Sequence, residues 1–202
     1  MKRTITIAAA ASLALLAGGW VSSESAQPEN AGMPDMSVMM EMMKKAAEPA
    51  EQHEMLARMA GEWKITAKFW MEPGGEPDVS KGVSVSKMVL GGRQLTSKVE
   101  LAMEFMGQKM DFAGMGMMGY DKITEEFQSV WTDTMGTGHM VQRGTLEDGK
   151  IVVSGTTKTI MGETTVKNIY TFVDGGFNLD FWESGEMTGG ELMHTGVIEY
   201  RK

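Results

Sequence analysis

Two short stretches hold twelve of the chain's 22 methionines. "MPDMSVMMEMM", from Met33, contributes six, and "MEFMGQKMDFAGMGMMGY", residues 103–120, contributes six more. A thioether sulfur is a soft donor that suits Cu(I). It is also an adaptable apolar filler. Spacing tells the two uses apart. Met36, Met39, Met40 and Met43 stand at i, i+3, i+4 and i+7, so a helix would gather their sulfurs on one stripe. The second stretch alternates as a strand does. Met110 and Met118 share a face with Phe112 and Tyr120, while Met115 and Met117 take the other. The helical stripe is therefore the better candidate for Cu(I), although a Met stripe at helical spacing is more often a face packed on a barrel mouth or a partner, and the strand cluster reads as apolar filler. His53 lies too far along to join the stripe without a bend at Pro49.

The usual catalytic arrangements are missing from the sequence. With no Cys there is no thiol nucleophile, thiolate metal site or redox pair. The three histidines, His53, His139 and His194, form no HExxH pair, and no Ser sits in a Gly-x-Ser-x-Gly elbow. Asp133 is the carboxylate of most interest. It shares a parity with Ser129 and Trp131 in "FQSVWTD", so it points wherever Trp131 points. The plainer reading is a strand-end Asp bonded to the "TMGTG" turn that follows. His194 shares a parity with Leu192, Gly196, Ile198 and Tyr200, so an inward-facing parity would put an imidazole among apolar neighbours, while the plainer reading is a hydrogen-bonded structural His. No catalytic residue, resident metal or cofactor is assigned.

The positioning elements follow from period and punctuation. Lys2 and Arg3 precede "ITIAAAASLALLAGG", a basic head and a short apolar run that predict a signal peptide over residues 1–26 and an exported, periplasmic protein. Gly19 stands where a lipidated Cys would be, so no lipid anchor is expected. Without that leader the chain carries 17 basic and 26 acidic residues, a net charge of −9 that argues against nucleic acid and anionic membrane surfaces as partners. Residues 27–48 read as a linker and the Met-rich helix, the latter capped by Asp35. Pro49 breaks the pattern before a second helix, "AEQHEMLARMA", at the head of a domain spanning residues 49–202.

After Gly61 the period drops from 3.6 to 2. In "WKITAKFWM", Trp63, Ile65, Ala67, Phe69 and Met71 share one face. About ten such segments follow one another, most of them separated by Gly- and Asp-containing turns such as "EDGK" and "VDGG". No long helix intervenes, so a parallel sheet is not expected. Closing the meander removes its two edges. The prediction is an all-β fold, a single antiparallel up-and-down barrel with a short N-terminal helical segment.

The residues that identify a family can now be quoted. "HEMLARMAGEW" ends in a Gly-x-Trp that resembles the opening of lipocalin-like, or calycin, barrels. "AGEWKITAKFWMEPGGEP", "LGGRQL", "MGQKMDFAGMGMMGYD", "WTDTMGTG" and "GVIEYRK" follow in an order similar to the bacterial family called domain of unknown function 1579, over about residues 53–202. The resemblance implies a calycin-like barrel and no particular activity. Small barrels of the nitrobindin type, which are similar, bind haem through a His near the C-terminus, which places haem beside Cu(I) as an alternative through His194.

A barrel of this size has a wider interior than an eight-stranded one, so it is either open to a ligand or packed solid with Met and Phe. The expected lining is Phe69, Met88, Leu101, Met103, Phe112, Met118 and Trp131 for the apolar wall, with Ser129, Asp133 and His194 as polar contacts. The functional expectation is non-catalytic binding of a small, mostly apolar molecule, fatty-acid-like or aromatic. A barrel enzyme and a protein-interaction module are the remaining alternatives. Oligomeric state is not readable.

Overall fold

The computed structural model describes residues 35–72, 74–105, 108–160 and 162–202. The leader expected over residues 1–26 and the linker up to residue 34 lie outside the described residues, as do Met106 and Gly107 of one expected turn.

Among the described residues, two helices precede the sheet. α1 (Met36–Ala47) starts where Asp35 Oδ1 accepts hydrogen bonds from the Ser37 N–H and hydroxyl, each at 2.8 Å. It ends before Pro49, and α2 (Glu51–Arg58) follows. The methionine stripe on α1 packs on nothing described: none of its residues is buried, and Met36, Met40 and Met43 are at least 60% exposed. Its C-terminal end is held where the Lys122 Nζ donates to the Lys45 and Glu48 carbonyls at 2.8 and 3.1 Å.

Ten strands follow. They are β1 (Gly61–Phe69), β2 (Asp78–Val89), β3 (Gln94–Phe105), β4 (Gln108–Asp121) and β5 (Glu126–Asp133), then β6 (Met140–Glu147), β7 (Lys150–Thr159), β8 (Gly162–Val173), β9 (Gly176–Ser184) and β10 (Met193–Arg201). Each pairs antiparallel with its sequence neighbour, and β1 pairs with β10 from Lys64↔Arg201 to Phe69↔Gly196, so the barrel is closed. The alternation expected of β4 holds, with Met118 buried at 6% exposure while Met115 and Met117 stand outside at 50% and 45%.

The end of the barrel where β1 begins is plugged. Leu56 and Met59 come down from α2 onto Trp63, Leu95, Phe127, Phe177 and Tyr200, all buried. The Trp63 indole N–H donates to the Met59 carbonyl at 3.0 Å, and its ring meets Phe177 edge-on at 5.3 Å. Phe177 in turn stacks on Tyr200 at 4.1 Å. The Gly-x-Trp motif, which opens β1, thus fastens helix to barrel. His53 secures the start of α2: its Nδ1 accepts the Ala50 N–H at 2.9 Å.

Candidate functional site

Odd-numbered strands run away from α2 and even-numbered strands return, so every inward side chain has a level in the barrel. Near α2 the interior is solid. Beyond that plug it opens into a cavity of about 290 Å³. That is close to the lower bound of small-molecule pockets, roughly 300 Å³.

Of the residues expected at the wall, Phe69, Leu101, Met103, Phe112, Met118, Ser129, Trp131 and Asp133 line the cavity. The parity of β5 carries Ser129, Trp131 and Asp133 inward together. Trp131 lies flat against β4 because Gly114 and Gly116 face it there. A Cβ on Gly114 would come within 2.2 Å of the indole. Asp133 accepts the Trp131 indole N–H at 2.8 Å on one oxygen and the Met135 backbone N–H at 2.9 Å on the other. Both readings of Asp133 therefore hold, since it anchors the following turn and also meets the cavity.

Met88 and His194 do not line the cavity. Met88 packs against the core from β2. His194 stands outside the barrel, and the reason is a β-bulge. His194 pairs with Trp182, yet Gly196 pairs with Phe181, so one residue is extra in β10. Gly196, Ile198 and Tyr200 keep the inward parity, and His194 is put on the outer face. There its Nε2 meets Asp180 Oδ1 at 3.0 Å, between the rings of Trp70 and Trp182 at 5.3 and 5.0 Å.

The sequence reading missed the far wall. Gln142, Asn168, Tyr170, Leu179, Phe181 and Glu183 also line the cavity. The signal was present in "FNLDFWE", where Phe177, Leu179, Phe181 and Glu183 alternate, so a carboxylate ends an apolar parity. Gln142 and Asn168 come from strands separated by β7. They meet because Gly155 lies between them, where an added Cβ would come within 3.2 Å of Gln142 Cγ and 2.1 Å of the Val141 carbonyl. The Gln142 amide nitrogen donates to the Val166 carbonyl at 3.2 Å, and the Asn168 amide nitrogen donates to Gln142 Oε1 at 3.0 Å. A backbone carbonyl only accepts, so this chain has one direction, and Asn168 Oδ1 is left buried without a partner. Burial pushes the Glu183 carboxyl above the ordinary carboxylate range, opposed by a hydrogen bond with Thr195. Burial also pushes the Tyr170 and Tyr200 phenols up, which keeps both protonated.

The arrangement suits retention of an apolar body with a few directed polar contacts. Among the described residues, no cluster of three or more His, Asp or Glu side chains is placed to hold a metal ion. The hydrogen-bonded pairs Gln142–Asn168, Trp131–Asp133 and Ser86–Ser97 at the wall do not join a nucleophile to a general base. Residues 48–202 match the family model described as Protein of unknown function (DUF1579). Comparison with curated proteins found no match.

Proposed function

The chain belongs to the DUF1579 family of proteins of unknown function, and from that premise we propose that it is an exported binding protein that carries a small, mostly apolar molecule inside its barrel. The supporting observation is the cavity of about 290 Å³, walled by Phe69, Leu101, Met103, Phe112, Leu179 and Phe181. Apolar surface moved from water into such a wall gains roughly 25 cal/mol per Å². Methionine adapts its shape, so the wall favours a class of ligands over one rigid fit. Export rests on Lys2, Arg3 and the apolar run behind them.

The test is titration with a neutral aromatic probe. Trp131 lines the cavity, so binding quenches its fluorescence, with a dissociation constant in the micromolar range, worth about 8 kcal/mol. No quenching and no heat of binding at millimolar probe would end the carrier reading. For export, N-terminal sequencing of protein from the cell envelope should find a chain starting near residue 27. A chain starting at Met1 would refute that part alone.

A further inference from the structure

The polar groups at the cavity wall are unbalanced in one direction. Asn168 is 4% exposed, and its Oδ1 accepts nothing, because the chain from Val166 through Gln142 has committed its amide nitrogen. The Gln142 amide nitrogen and the Trp131 indole N–H are spent within the protein. Asp133 and Glu183 are the charged residues of the wall, and no Lys, Arg or His is among its described residues. Both carboxylates sit at the ends of odd-numbered strands, at the end of the barrel away from α2. The hydroxyls of Ser129 and Tyr170 serve as donor or acceptor and so select for neither. What the wall lacks is a cation, and its Trp131, Gln142 and Asn168 N–H groups are already engaged within the protein.

We propose that the cavity selects an apolar amine, a hydrophobic body with a protonated nitrogen, and turns away the carboxylate of a fatty acid. The proposal rests on the carrier reading above and names the ligand class for that site. A carboxylate entering the cavity meets two carboxylates and an orphan carbonyl oxygen, with no cation to offset its lost hydration. An ammonium meets the same groups as partners. It supplies N–H donors to an unpaired acceptor and positive charge to a Glu183 that burial otherwise penalises.

Octylamine, octanol and octanoate share one tail and differ only in the head. Competition of each against the neutral aromatic probe at pH 7 separates the terms. Octylamine should bind about tenfold more tightly than octanoate, with octanol between them. Glu183→Gln, alone and with Asp133→Asn, should bring the amine down to the level of the alcohol, each affinity being taken relative to that of the aromatic probe on the same variant. Asn168→Leu should weaken amine and alcohol together, with melting curves confirming that each variant is folded. Equal binding of the three heads, or tighter binding of octanoate, would overturn the amine proposal while the carrier reading stands. Failure of the aromatic probe itself would overturn both.

Discussion

Trp63 and His53 fix the plug at single-residue scale, and each gives a measurable consequence. Trp63 is 4% exposed, with its indole N–H on Met59 and its ring against Phe177. Trp63→Ala should cost about 3–5 kcal/mol in chemical denaturation, the range for emptying a large aromatic site. A loss under about 1 kcal/mol would mean that the plug is held by other contacts. His53 behaves differently because it titrates. Burial holds its imidazole below the usual range, and the neighbouring charges of Lys122 and Arg93 add to the effect. The unfolded chain protonates near pH 6.5 and the folded one at lower pH. Stability carried by the neutral ring is therefore intact above about pH 6.5 and declines as pH falls below it, levelling off once the folded ring also takes a proton. His53→Gln, whose amide oxygen can still accept the Ala50 N–H, should remove that part of the pH dependence without loss at pH 8. An unchanged slope between pH 7 and pH 5.5 would assign it to other groups. Trp63 was legible because Gly-x-Trp precedes a clear period-2 run. The orphan oxygen of Asn168 was not, because it depends on a glycine in one strand letting side chains from two others meet.

At the scale of elements, α1 and β10 show where pattern suffices and where it fails. The methionine stripe predicted a helix, and α1 is one, but an apolar stripe does not say what it packs against. Here it buries no residue, and the Lys122 contacts to the Lys45 and Glu48 carbonyls hold its end. Deleting residues 27–48 should therefore move the thermal midpoint by no more than about 2 °C. If the four stripe sulfurs take Cu(I), the deletion should abolish a tight site that titration under reducing conditions finds in the full chain. No tight site in the full chain would dismiss copper. In β10 the parity from Gly196 to Tyr200 was read correctly. The bulge between His194 and Gly196 reversed it for one residue that mattered. Nothing in "MHTGVIEY" marks an extra residue, because a bulge answers to barrel geometry and to the partner strand. His194 should accordingly be accessible to diethyl pyrocarbonate in the native protein, with no change in probe binding after modification.

For the whole molecule, closure was predictable from the strand count and the lack of intervening helices, whereas the degree of filling was not. Side-chain size does not reveal that the plug ends at the level of Tyr200 and that space remains beyond it. Met103→Trp tests that space. Met103 lines the cavity, so the larger ring should abolish probe binding with stability nearly unchanged. In a filled core the same change would overpack and cost roughly 1–3 kcal/mol. The closing seam has a consequence of another kind. Arg201 of the last strand pairs directly with Lys64 of the first, so both strands must be present before the ring shuts. A ribosome delivers β1 first and β10 last of the ten strands. The nascent chain can form hairpins one after another, yet it cannot close the ring until β10 has been made. Non-local pairing of this sort places folding in the millisecond-to-second range. For a chain proposed to cross a membrane, that delay keeps the polypeptide threadable until β10 is made.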